Sequence, residues 1–165
     1  MNKNITRSLL FAAIVFGSFS CSKNETVDAT PIKQNVLTHY DYAANETELV
    51  SLINDYRVSQ GLNILILDNY VTKVAENHDI YMIGKDAISH DFFNQRFQDI
   101  VANANGKKVA ENVAYKFNNA QSVLNAWINS PEHKLNLLGD FTHFGISIKT
   151  NANGVLFYTN IFTKK

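Results

Sequence analysis

Leu49, Leu52, Ile53 and Tyr56 recur at three- and four-residue steps, the stripe of an amphipathic helix. Asn45 stands as its cap, Glu46 and Glu48 fall in its first turn, and Gly61 ends it. A second stripe follows Asp68, carrying Val71, Val74, Ala75, His78, Tyr81 and Met82 on one face. A shorter helix is predicted over 92–101, a turn over 103–107 and a strand over 109–115. A fourth helix, capped near Asn118, carries Val123, Leu124 and Trp127.

Ser130 and Pro131 then make a hard corner, with Ser130 as N-cap and Pro131 at the first helical position, where a missing N–H is harmless. His133 falls near the third position of the new helix, beside the positive end of its dipole, which favours the neutral imidazole. Two further strands are predicted over 141–149 and 155–163. The Asn151-Ala152-Asn153-Gly154 turn joins them, and Asn153-Gly154 is a strong hairpin signal.

Both the start of the chain and its composition narrow the class. Lys3 and Arg7 precede an apolar run, Leu9 to Phe16, too short to span a membrane as a helix. Small residues lead from it to Cys21, the only cysteine. Residues 1–20 therefore read as a lipoprotein signal peptide, with Cys21 as the acylated N-terminus after cleavage. Lipid on Cys21 anchors the chain to a membrane and leaves no thiol for a disulfide, a nucleophile or a metal site. Residues 21–44 read as the lipidated cysteine and a polar tether, whose Tyr40 and Tyr42 pack back on the domain. Residues 45–165, about 120 in number, suffice for one domain with one core.

The chain has 15 Lys and Arg against 15 Asp and Glu; without Lys3 and Arg7 the basic count falls to 13, a net charge of −2. No basic patch interleaved with aromatics is present, which argues against nucleic acid as a partner.

Five segments, in order, resemble the pattern of one family. Ser89-His90-Asp91-Phe92-Phe93-Asn94-Gln95-Arg96 resembles its Ser-His-Asp-Gly-Phe-x-x-Arg, and Ala110-Glu111-Asn112-Val113-Ala114 its Gly-Glu-Asn-Val-Ala. Trp127 to Asn136 resembles Trp-x-x-Ser-Pro-x-His-Lys/Arg-x-Asn, and the segments 141–146 and 157–162 resemble its two terminal strands. The chain is thereby similar to bacterial members of the CAP superfamily, the SCP-like extracellular proteins, over residues 46–162. The resemblance implies an α+β fold: a three-layer α/β/α sandwich around a central antiparallel sheet. It also implies a central cleft lined by His90 and Glu111, with His133 as its second histidine. Two departures stand out: Ser130 takes the place of the second Glu of the eukaryotic tetrad, and Phe157 that of its second His. Asn160 replaces the Gln of the family's Tyr-Thr-Gln strand and is also assigned to the cleft.

Two imidazoles and a carboxylate admit three readings. His90, His133 and Glu111 suit a divalent metal, zinc first, with a position left for water. They equally suit an acid/base pair, or a buried network that only fixes the cleft. A nucleophile is absent from the pattern: there is no Gly-x-Ser-x-Gly elbow and no His-Glu-x-x-His. His78 reads as a core or cleft-edge histidine. The sequence thus points to an extracytoplasmic, lipid-anchored binding module, on the outer membrane or cell surface, for a small ligand, a lipid or an envelope macromolecule. A zinc-assisted hydrolase of peptide or envelope material and a structural envelope protein are the competing readings.

Overall fold

The computed structural model describes residues 37–165; the predicted signal segment, Cys21 and most of the tether lie outside them. Residues 37–165 belong to one unit. In chain order the elements are α1 (Ala44–Ser59), β1 (Ile66–Leu67), α2 (Asn69–Lys85), α3 (Phe93–Ala104), β2 (Lys108–Tyr115), α4 (Ala120–Asn129), α5 (Pro131–Leu137), β3 (His143–Thr150) and β4 (Leu156–Lys164). The sheet runs β1-β3-β4-β2. β2, β4 and β3 are antiparallel, as expected, but the two residues of β1 pair in parallel with His143 and Phe144. β1 is too short to carry a period, so the pattern gave no sign of it.

Strand alternation assigns each layer its partners. Phe144, Ile146, Ile148, Tyr158 and Phe162 face α1, α4 and α5, where Leu49, Ile53, Leu124 and Trp127 complete the larger core. On the other face Ile161 packs with Val71, Val74 and Ala75 of α2 and Ile100 and Ala104 of α3. Met82, Val113 and Phe157 form a smaller cluster on that side. β4 is covered on both faces, so Phe157 to Thr163 are all buried, the polar Thr159, Asn160 and Thr163 included. These are the three layers the resemblance implied.

Helix ends follow the local chemistry. At the end of α1, Gly61 adopts φ +75°, and its N–H bonds the Val58 carbonyl while Leu62 N–H reaches Arg57. That is the paired closure a left-handed glycine allows. Asp68 caps α2 by accepting from Val71 N–H at 3.0 Å. Asn119, one residue later than expected, caps α4 by accepting from Ser122 N–H at 2.8 Å.

At the start of α1 the expected cap is displaced. The helix begins at Ala44, and Glu46 does the capping from inside by accepting from Ala43 N–H at 2.9 Å. Its other oxygen accepts from Ile148 N–H at 2.9 Å. β1 stops short beside β3, and Glu46 and Thr72 supply acceptors to the Ile148 and Ile146 N–H groups that lack a strand there. Tyr42, just before α1, donates to Asn69 at 3.0 Å and so packs on the start of α2.

α2 lies directly on β3. A Cβ on Gly145 would stand 2.2 Å from Thr72 N, so only glycine permits this approach. The hairpin between β3 and β4 uses a three-residue loop with Gly154 at φ +79°, and Asn151 Oδ1 accepts from Asn153 and Val155 N–H.

Candidate functional site

Glu111 sits on β2 with its side chain on the face toward α2 and α3 and is buried. Arg96, one turn into α3, donates Nε to Oε2 and Nη2 to Oε1, both at 2.7 Å. His90, on the loop before α3, meets Oε1 through Nδ1 at 2.8 Å. Burial alone would raise this carboxyl, but the bonds from His90 and Arg96 and the Arg96 charge outweigh it and hold Glu111 below its ordinary value. The third neighbour is His78 of α2, whose Nε2 lies 3.7 Å from Oε1 and donates to the Ser89 carbonyl at 2.7 Å. Burial lowers His78, with Arg96 and His90 adding to the effect against the pull of Glu111, so this imidazole is neutral.

His90 is the exposed member, with 54% of its side chain open to solvent. Because Glu111 is a pure acceptor, Nδ1 carries the hydrogen, which leaves Nε2 of the neutral ring with a lone pair away from the carboxylate. Here the protein does what a carboxylate–imidazole pair does in many sites: it fixes ring orientation and tautomer.

The facing wall is α5. Ser130 occupies its N-cap position, but its hydroxyl pairs with His133 Nδ1 at 2.9 Å rather than with the backbone. His133 lies below its ordinary value, through burial first and then the positive charge His90 can carry. Neutrality was expected at this position, but burial is the main cause. α5 is fastened to β2 by two asparagines. Asn112 donates to the His133 carbonyl at 3.1 Å, and Asn136 donates to Asn112 Oδ1 at 2.9 Å and the Glu111 carbonyl at 3.3 Å. A cavity of about 310 Å³ opens here, lined by His90, Phe93, Val109, Ala110, Glu111 and Asn136. It lies along the outer strand of the sheet.

His90 and Glu111 are thus in direct contact, with His133 nearby. Asn160 is not brought to them. It pairs in register with Asn112 and Ile146, is fully buried, and lies on the opposite face of the sheet from Glu111, whose partner is Ile161. Fully buried and not among the residues lining the cavity, Asn160 has no surface to offer a ligand, so its cleft assignment is corrected. Phe157 is core, tilted against Tyr115. His78, Arg96 and Asn136 complete the site. His78 was visible as a polar residue on an apolar stripe, and Arg96 and Asn136 as fixed members of the two motifs.

The donors fit a metal poorly. Both Glu111 oxygens are engaged by the Arg96 guanidinium, and among the described residues no three His, Cys, Asp or Glu groups are placed to share an ion. A cation at Glu111 would have to displace Arg96.

Comparison with known proteins matches this geometry to one family. Its sequence profile, the CAP or cysteine-rich secretory protein family, covers residues 50–162. The chain is 27% identical over 127 residues to the uncharacterized membrane protein YlbC of Bacillus subtilis, covering 73% of this chain and 35% of that protein. It is 32% identical over 124 residues to the uncharacterized protein YkwD of the same organism, covering 72% of this chain and 48% of that one. The chain therefore spans about a third and about half of these two relatives. Among solved structures, an outer surface protein from Borrelia burgdorferi superposes with a TM-score of 0.69 at 26% identity, over 76% of this chain and 96% of that one. An extracellular SCP-domain protein from Bacillus anthracis gives 0.65 at 28%, over 73% of this chain and 40% of that one. No helix among the described residues is long and apolar enough to cross a membrane. With the motifs, the sandwich and the profile in agreement over the same residues, the chain belongs to the CAP family of cysteine-rich secretory proteins, although it holds a single cysteine.

Proposed function

We propose that this chain is an extracytoplasmic binding module, held to a membrane by lipid on Cys21, whose cleft presents His90 and His133 to a small ligand, a lipid or an envelope component. The observation that carries this is the commitment of Glu111. With both oxygens bonded to Arg96, one also to His90, and the side chain buried, Glu111 is held as the partner of these two groups and acts as a positioning group. The group presented to the cavity of about 310 Å³ is then the His90 ring, with Asn136 of α5 on the wall and His133 one turn before it on the same helix. Among the described residues the site's serine–histidine contact is Ser130 Oγ with His133 Nδ1 at 2.9 Å, and no carboxylate is bonded to that ring. Likeness to an outer surface protein supports the placement outside the cytoplasm.

A carboxylate-oriented imidazole is also what a metal-binding histidine receives, and this keeps zinc-assisted hydrolysis as the second reading. Thermal unfolding of the protein with zinc, calcium, magnesium or chelator, repeated on His90→Ala and His133→Ala, separates them. A ligand present at a hundredfold excess over its Kd raises stability by about 2.7 kcal/mol. The binding-module reading expects no metal-dependent shift. A zinc-dependent rise abolished by both substitutions would overturn it in favour of the metal site. Intact-mass measurement of the membrane-extracted protein tests acylation at Cys21, and an unmodified cysteine would remove the anchor.

A further inference from the structure

Phe92 stands where the family motif has glycine, and its backbone has the conformation glycine is used for: φ 59°, ψ 20°. A bulky aromatic residue in the left-handed region is strained by about 1–2 kcal/mol. The strain is not repaid by burial, because Phe92 is 57% exposed. Its ring instead stands edge-on to Tyr81, with centroids 5.4 Å apart at 78°, and Tyr81 in turn stacks on His78 at 5.9 Å and 12°. Tyr81 is pinned by donating to Asp91 at 2.7 Å.

These rings form one end of a second cavity, of about 280 Å³, between α2 and α3. Val74, Asn77 and Tyr81 line it from α2, at helical three- and four-residue steps, and Gln95 and Asp99 from α3. It reaches His78 and Arg96 from the side of the sheet facing these helices, and it shares neither His90 nor Asn136 with the cleft described above. Asn77 and Gln95 are exposed, and their amides are not used in hydrogen bonds among the described residues. Asp99 is held rigidly through Oδ1, which accepts from Tyr70 and Asn103, both at 2.7 Å, leaving Oδ2 for another donor.

We propose that this groove is a binding site for a neutral sugar unit. A pyranose has an apolar C–H face that rests on an aromatic ring, and hydroxyls that both donate and accept. Two primary amides and a carboxylate oxygen answer those hydroxyls, and the exposed ring of Phe92, braced by Tyr81, supplies the ring surface. Other occupants suit the lining less well. An alkyl chain would desolvate both amides without pairing them. An anion would meet Asp99, while the Arg96 guanidinium that would attract it is already spanned by Glu111. An extended peptide would find only helix surfaces, without the open strand edge that binds a backbone.

The test is NMR titration of the purified protein with two neutral oligosaccharides, a β-linked N-acetylglucosamine tetramer and cellotetraose, with decanoate in parallel. The expected result is saturable shifts of α2 and α3 amides with at least one sugar. Phe92→Gly removes the ring and the strain together, so its Tm is expected to hold or rise while sugar affinity falls about tenfold or more. The double variant Asn77→Ala, Gln95→Ala is expected to fold normally and to lose a similar factor. Absence of saturation with both sugars, unchanged affinity in Phe92→Gly, or saturation by decanoate alone would each overturn the proposal.

Discussion

Arg96 spans both oxygens of Glu111, with Nε and Nη2 each at 2.7 Å, and this fork fixes the carboxylate that orients His90. A third donor, Nη1, bonds the Asp91 carbonyl at 2.7 Å and ties the same guanidinium to the loop carrying His90. One side chain thus links strand, helix and loop at the site.

Removing that fork leaves a buried carboxylate without its cation. Arg96→Ala is expected to destabilise the fold by about 3–5 kcal/mol. Arg96→Lys restores charge but not the paired geometry and should recover only part of the loss. Urea unfolding measures both, and equal stability of the lysine variant and the parent would show that the fork geometry is unimportant.

Asp79 gives the fold a pH dependence. It is fully buried under the sheet, accepts from Thr159 at 2.5 Å, and burial pushes its carboxyl up to about 8. The unfolded chain gives up this proton near 3.8, the folded chain only near 8. Between those values deprotonation favours the unfolded state, so the contribution of Asp79 declines as pH rises from about 4 to about 8 and is level above that. The integrated loss is on the order of a few kcal/mol. Asp79→Asn should be the more stable protein at pH 7 and above and should lose that slope. Urea midpoints at pH 5, 7 and 9 decide the matter, and an unchanged slope in the variant would exonerate Asp79.

How much of this was legible in the sequence depends on what sets each feature. Leu49 to Tyr56 and Val71 to Met82 were readable because a helix stripe is local. His90, Glu111 and His133 were readable through motifs. The partners of Glu111 were not: Arg96 is 15 positions away and His78 is on another helix, and only the packing of α2 and α3 on the sheet unites them. Asn160 was misplaced because its complete burial comes from the central place of β4 in the sheet, which the local sequence does not show. Arg57 sits in the last turn of α1, where a basic residue is expected to be solvated. It is instead buried, donating to the carbonyls of Leu137, the last residue of α5, and Gly139 at 2.7 and 3.1 Å.

Glu46 stands in for a missing stretch of strand. Glu46→Ala should leave the Ile148 and Ala43 N–H groups unpaired and destabilise by about 2–3 kcal/mol, while Glu46→Gln keeps an oxygen for one of them and should recover about half. Hydrogen exchange at the Ile148 amide, faster in the alanine variant, provides the local check.

At Gly145 the restriction is steric. Gly145→Ala must push α2 away from β3 and is expected to lower stability by about 3 kcal/mol, with loss of α2 protection in hydrogen exchange. A stable variant with α2 protection unchanged would show that the helix can move without penalty.

The placement of β4 affects how the molecule comes into being. The last strand in the sequence is central in space, between β3 and β2, and it supplies the neighbour against which Glu111 is registered. A ribosome or export channel releasing the chain from its N-terminal end therefore delivers His78, His90, Arg96 and His133 well before the scaffold that aligns them. Until about Lys164 has emerged, the growing polypeptide is a set of helices and strands without their central partner, exposed to chaperones and proteases. A product cut short before the nine residues of β4 keeps every histidine and carboxylate of the site and lacks the strand that sets the register of Glu111.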